Sequence, residues 1–235
     1  MAETARSTVR ITTGGILSGL RGLGPIAIFV VPFGIAYGVA AIERGVTLDQ
    51  SVLMSLLIFS GAAQFAALEF WGGPIPTISL LLTVFAVSAR LILMGATLSP
   101  WLSQLSRPRR MLALAVLSDL NFADSYIALR RGDGDIGRLV GGGLGLCGAW
   151  IAGTAIGAIA GASLGDLDRF GIDVIMATFF VATLIGQWEG KGNLVPAVVA
   201  AAVAVIGLYT LPAGWNILIA ALAGGLAGGV LHRGR

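Results

Sequence analysis

The sequence predicts an all-α, polytopic membrane helix bundle, and three observations carry that expectation. Hydrophobic residues make up 56% of the 235-residue chain while charged residues make up 11%. A soluble domain carries about a quarter charged residues, so the charge here is too sparse to coat a globular surface of this size. The apolar residues also fall into long runs, and a membrane helix needs roughly 20 of them. Finally, the chain holds 35 glycines with no Gly-X-Y period, which fits membrane helices whose small residues let backbones approach closely.

The runs appear in order as Pro25–Ile42, Val52–Trp71, Ile75–Leu98, Leu139–Leu164, Ile172–Trp188, Leu194–Leu211 and Trp215–Leu231. These seven segments are joined by an eighth, weaker one, Met111–Leu129, which contains Asp119, Asn121 and Asp124. Short connections rich in Gly and Pro separate them, so the chain reads as a single transmembrane domain over 1–235. Within it, 1–24 is a polar N-terminal segment without the compact apolar core of a cleavable signal. Residues 25–231 form the bundle and 232–235 a basic tail. Trp71, Trp101, Trp188 and Trp215 sit at segment ends, as interfacial aromatics do. Pro32 with Gly34 and Gly38 predicts a kinked first helix.

The basic residues are topology signals rather than a nucleic-acid surface, because they lie in short clusters between apolar runs. Arg6, Arg10 and Arg21 favour a cytoplasmic N-terminus; Arg107, Arg109 and Arg110, and then Arg130, Arg131 and Arg138, favour the cytoplasm as well. All can share one side only if some segments are re-entrant. The best placed are the one holding Ser60-Gly61-Ala62-Ala63-Gln64 and Met111–Leu129. A faint internal repeat accompanies this pattern: Leu48-Asp49, Phe59, Ala62 and Pro76 reappear as Leu167-Asp168, Phe179, Ala182 and Pro196, offset by about 120 residues.

Helix packing has its own signal. Gly141, Gly145, Ala149, Gly153, Gly157, Gly161 and Gly165 recur every fourth residue, which puts them on one helix face. That face is either a structural seam or a sliding surface for alternating access. The GxGxxG of Gly143–Gly148 and the GxSxG of Gly161–Gly165 are by-products of this stripe, since neither has a strand before it.

One cysteine, Cys147, and one histidine, His232, predict neither a disulfide framework nor a Cys/His metal site. No cofactor is expected. The same scarcity counts against a membrane-embedded enzyme, which would need a nucleophile–base pair or a metal cluster. Polar residues inside apolar runs are the better guide to function, because a charge at mid-bilayer costs about 2.5–3.5 kcal/mol on insertion scales. Arg90, Asp119 and Asp124 are such residues. Ser118, Asn121, Asp124 and Ser125 would line one helical stripe. Arg90 pairing with Asp119 or with Asp124 would neutralise both partners, either as a structural ion pair or as a substrate- or proton-handling site. Ser60 and Gln64 form a second polar patch, where small neighbours would let an unwound backbone meet a zwitterion.

Several motifs in order resemble the AzlC family, the large subunits of bacterial branched-chain amino-acid exporters. They are Pro25-Ile26-Ala27-Ile28-Phe29-Val30-Val31-Pro32-Phe33-Gly34-Ile35-Ala36-Tyr37-Gly38, Phe59-Ser60-Gly61-Ala62-Ala63-Gln64-Phe65, Ala89-Arg90-Leu91-Ile92-Leu93-Met94-Gly95, and Asp119 with Phe122-Ala123. The resemblance implies a secondary exporter of branched-chain or similar bulky neutral amino acids in the bacterial inner membrane. It also implies coupling to an ion gradient and a small AzlD-like membrane subunit as partner. The substrate and ion pathway would then be lined by Ser60, Gln64, Arg90, Asp119, Asn121 and Asp124. Family members often place Asn and His beside the arginine and an acidic residue after the aspartate. This chain has Ser88, Leu91 and Leu120 instead. The other readings are a scaffold for a partner subunit or a transporter of a different small solute.

Overall fold

A computed structural model describes residues 9–71, 73, 75–164, 194–211 and 215–232, with 181, 185, 188, 190 and 192 as isolated positions. Most of the predicted segment Ile172–Trp188 lies outside the described residues, as do Gly165, Asp168, Phe179 and Ala182. The described residues form helices joined by turns and short connections, with one isolated parallel bridge, Arg10 with Asp135. In order the helices are α1 (Thr13–Glu43), α2 (Leu48–Leu57), α3 (Gly61–Leu68), α4 (Thr77–Leu102), α5 (Arg107–Ala115), α6 (Asp119–Arg130), α7 (Gly137–Leu164), α8 (Leu194–Thr210) and α9 (Trp215–His232).

Helix α1 starts well before the apolar run that marks it in the sequence. The hydroxyl of Thr12 accepts from the Gly15 amide at 2.9 Å, the usual way an N-cap satisfies a first-turn donor. The same hydroxyl donates to the Asp135 carboxylate, which also accepts from the amides of Thr12 at 3.1 Å and Gly137 at 2.8 Å. One carboxylate thus sits at the positive ends of both α1 and α7, where an anion is favoured. From that clamp the two helices run in the same direction. A Cβ on Gly19 would meet the backbone of Arg138 and Gly142. One on Gly34 would meet Trp150 and Gly153, and one on Gly38 would meet Thr154 and Ala158. From the other side, Gly141, Gly153 and Gly157 face the carbonyls of Ile16, Val31 and Ile35. Gly145 lies against Leu20 and Gly161 against Ile42. The four-residue stripe is therefore the face that α1 covers, backbone against backbone.

Two of the predicted segments are broken. Val52–Trp71 divides at Ile58–Ser60, where Ser60 is extended at φ −152°, ψ 96°. Met111–Leu129 divides at Val116–Ser118, where Ser118 is extended at φ −144°, ψ 169°. Each half-helix has 8–12 residues, about 12–18 Å at 1.5 Å per residue, too short to cross a hydrocarbon core of about 30 Å.

Both broken segments return to the end they entered from. At one end, Arg44 just after α1 donates to the Leu68 carbonyl closing α3 at 3.0 Å and lies 3.7 Å from Glu69. At the other, Leu105 shares a core cluster with Leu129 and Ile136, and Trp101 packs edge-on against Tyr126 at 6.2 Å. The pair α2–α3 is thus a re-entrant hairpin from one face, and α5–α6 one from the opposite face. Three described helices, α1, α4 and α7, are long and apolar enough to cross a membrane. Seven or eight apolar segments therefore do not mean as many crossings.

This geometry brings most of the basic residues to one end, with Arg6 outside the described residues and Arg21 within α1. The start of α1, the end of α4, both ends of the α5–α6 hairpin and the start of α7 meet at one end, around Val9, Ile11, Leu102, Leu105, Leu129 and Ile136. Arg10, Arg107, Arg109, Arg110, Arg130, Arg131 and Arg138 gather there. Glu43, Arg44, Asp49 and Glu69 lie at the opposite end. The layout of long helix plus broken hairpin starts at α1 and again at α4, about sixty residues apart, and α7 starts at the same interval. Helices α1 and α7 run parallel, and Leu167, Asp168, Phe179 and Ala182 of the 120-residue repeat lie outside the described residues. Helices α8 and α9 pack on each other, and α9 touches α4.

Candidate functional site

Arg90 lies at the middle of α4, about equally far from its ends, and Asp119 opens α6 at the tip of the second hairpin. The guanidinium NH2 stands 3.0 Å from Asp119 Oδ2. A carboxylate in the first turn of a helix is favoured by the macrodipole, and the arginine supplies the full positive charge that the depth requires. Of the two pairings the sequence left open for Arg90, the structure contains the one with Asp119.

Asp124 has a different partner. Arg138 holds it with two parallel bonds, Nε to Oδ2 and NH2 to Oδ1, both 2.7 Å. It also reaches Ser18 Oγ at 3.3 Å. This fork ties α6 to α7 and α1, and each guanidinium nitrogen donates to an acceptor. The Arg90–Asp119 pair is built differently. Arg90 Nε and Asp119 Oδ1 are buried and have no hydrogen-bond partner among the described residues. Ser125 Oγ, further along α6, is unpartnered as well. A buried polar atom left unpaired costs about 1–3 kcal/mol and calls for an explanation by ligand, water or mechanism. One spare donor and one spare acceptor side by side match the two ends of a zwitterion.

Asn121 shapes the hairpin tip. Its Oδ1 accepts from the Ser118 amide at 2.7 Å and the Ser118 hydroxyl at 3.1 Å. Its Nδ2 donates to the carbonyls of Val116 at 2.7 Å and Leu139 at 3.0 Å. It is fully buried and its side chain is saturated. Asn121 therefore positions Asp119 rather than offering a free group. Asn121→Ala would take the partner from the Val116 carbonyl and the Ser118 amide, and we expect it to destabilise the protein by about 1–3 kcal/mol. A lowered midpoint in detergent-solubilised thermal unfolding checks this, with Asn121→Asp as the near-isosteric comparison.

The first hairpin carries the second polar set. Gln64 is fully buried; its Nε2 donates to Ser55 Oγ at 3.0 Å, and its Oε1 accepts from Trp150 Nε1 at 2.7 Å. Ser55 and Thr154 share a hydroxyl contact of 2.9 Å. Tyr37 closes the cluster, edge-on to Phe65 at 5.6 Å and stacked on Trp150 at 6.0 Å. Ser60 begins α3 without bonding it through its side chain. Gln64 is thus the link between α2, α3 and α7, while Ser60 marks the break between α2 and α3.

Trp150, Thr154, Ser55 and Arg138 complete these networks without standing out in the sequence. Trp150 had one available signal, a tryptophan in mid-segment rather than at an interface.

A family model described as AzlC protein matches residues 25–164. The chain belongs to the AzlC family. The match runs from α1 to the end of α7 and includes both hairpins and Arg90. Similar proteins extend further. The chain is 27% identical over 221 residues to the inner membrane protein YgaZ of Escherichia coli, covering 90% of this chain and 87% of that one. It is 29% identical over 217 residues to a membrane protein of Archaeoglobus fulgidus, covering 87% and 90%. It is also 26% identical over 165 residues to the branched-chain amino acid transport protein AzlC of Bacillus subtilis, covering 66% and 61%. No solved structure matches. Like these relatives, this AzlC-family chain is a multi-pass membrane protein. Its exposed Ile78, Leu81, Phe85, Ile92 and Leu93 form the apolar outer surface of α4 that a bilayer covers.

Proposed function

We propose that this chain is the large subunit of a secondary-active exporter for branched-chain or related bulky neutral amino acids. It works with a small AzlD-like membrane subunit, draws on an ion gradient and resides in the bacterial inner membrane. The observation that carries this reading is the half-used Arg90–Asp119 pair at mid-depth. Arg90 Nε offers a charge-assisted donor to an α-carboxylate, and Asp119 Oδ1 an acceptor to an α-ammonium. The break at Ser60, which leaves α3 without a side-chain cap, resembles the broken helices whose N-termini meet anionic substrate groups in transporters. Family membership supports a transporter rather than an enzyme, and the name of the Bacillus subtilis relative supplies the amino-acid class. The arginine-rich end is the cytoplasmic one by the excess of basic residues.

The test is made in cells. Overexpression with the partner subunit should lower intracellular valine, leucine, isoleucine and methionine and confer resistance to a toxic analogue; deletion should do the reverse. Unchanged pools in both strains would sink the substrate assignment. Unchanged transport in the absence of the small subunit would remove the partner.

A further inference from the structure

A second feature lies on the outer surface of α4, away from the Arg90–Asp119 pair. Between α4 and α5 runs a groove of about 290 Å³, lined by Leu91, Ile92, Gly95 and Leu114, with Ser99 along it and Arg110 at its rim. Gly95 keeps it open, because a Cβ there would come within 3.3 Å of the Leu114 side chain. From Leu91 to Ser103 the groove follows α4 for about 18 Å at 1.5 Å per residue. That is close to one leaflet, half of a hydrocarbon core of about 30 Å.

The groove has a charged mouth. Arg107, Arg109 and Arg110 occupy the first turn of α5, where the helix dipole adds to their own positive charge. No acidic residue lies anywhere between Glu69 and Asp119, so neither α4 nor α5 supplies a counter-ion. Arg107 and Arg109 are exposed, and so are Met111 and Leu112 beside them. The Trp101–Tyr126 pair at the same end is of the aromatic type found at the membrane–water boundary. An apolar channel one leaflet deep, opening under three guanidinium groups with no ion-pair partner among the described residues, is complementary to one class of molecule.

The geometry points to an anionic phospholipid site, with the headgroup phosphate held by Arg107, Arg109 and Arg110 and an acyl chain laid along Leu91, Ile92, Gly95 and Leu114. The lipid bridges α4 to the second hairpin, and so braces the elements that carry Arg90 and Asp119.

The experiment titrates the purified full chain in neutral detergent with phosphatidylglycerol and with phosphatidylcholine, and reads occupancy by native mass spectrometry. Phosphatidylglycerol should bind at least tenfold more tightly. Arg107→Gln, Arg109→Gln and Arg110→Gln together should erase that preference, with a loss of roughly fivefold for each arginine, as expected for a basic side chain near an anionic leaflet. Ser99→Phe, at an exposed position that leaves the fold intact, should weaken retention of the lipid while keeping the arginines. Glycerol phosphate, the headgroup without chains, should leave no occupancy. Equal binding of the two lipids, an unchanged preference in the triple variant, or equal binding of glycerol phosphate would each overturn the proposal. So would a copurifying membrane polypeptide displaced by Ser99→Phe without any lipid preference, since the groove would then belong to a protein.

Discussion

Gly157→Leu will abolish stable folding, and even Gly157→Ala will lower stability measurably. A Cβ at this position would overlap the Ile35 carbonyl and stand 2.8 Å from the Ile35 Cα. Both obstacles are backbone, so no rotamer change relieves them and α1 must move away from α7. Overpacking of a tight core costs about 1–3 kcal/mol, occasionally more, and here one displaced contact drags its neighbours. Gly34, Gly38, Gly141 and Gly153 lie along the same seam, so separation at one level loosens the next. Gly148 is the matched control, on the same helix with nothing within 4 Å of an added Cβ. Gly148→Ala should leave stability unchanged or raise it by up to about 1 kcal/mol, since Ala is the better helix former. Yield of monodisperse protein and the thermal midpoint, compared across the variants, read both effects. Equal behaviour at positions 157 and 148 would refute the seam as a close-packed contact.

What the sequence reveals and what it hides divide along a physical line. Local periodicity and composition are one-dimensional properties, so the helical membrane class and the single face holding Gly141, Gly153 and Gly157 are readable from spacing alone. The identity of the covering helix is not, because Gly19, Gly34 and Gly38 on α1 lack a strict four-residue repeat. The hairpin breaks are half-legible. Ser60-Gly61 and Ser118-Asp119 pair a good N-cap with a following small or acidic residue, yet both sit in runs whose hydropathy alone favours an uninterrupted helix. Ion-pair partners are the least legible, since Coulomb attraction acts between side chains that the fold brings together. Asp124 lies fourteen residues before Arg138, and Arg90 pairs across the α4–α5 turn with Asp119. Nothing in the intervening sequence marks either match. Hydropathy likewise counts apolar residues without showing that the chain reverses at mid-depth, which is why segment number exceeds the number of long spanning helices.

The reversal places Asp119 opposite Arg90, and that contact yields the prediction most able to separate function from framework. On the proposed function, Arg90→Ala and Asp119→Asn should each reduce transport about tenfold or more, since each removes one charge of a half-buried pair at the middle of α4 and leaves the other unpaired. Either change alone is ambiguous, because the surviving charge is left uncompensated and can lower the amount of folded protein. The double variant Arg90→Leu with Asp119→Leu removes that ambiguity. Replacing a buried ion pair with apolar residues of similar volume is often neutral or stabilising, so membrane expression and thermal stability should return to the parent level. Export should not return, because neither the donor for a carboxylate nor the acceptor for an ammonium remains. The Arg138–Asp124 fork provides the contrasting case: its groups bond each other twice and Arg138 also bonds Ser18, and its variants should move stability and transport together. If the double leucine variant at positions 90 and 119 exports at the parent rate, the pair only holds α4 against α6 and the substrate must be bound elsewhere. If expression recovers and export stays lost, the spare Nε and Oδ1 atoms are the groups that meet the substrate.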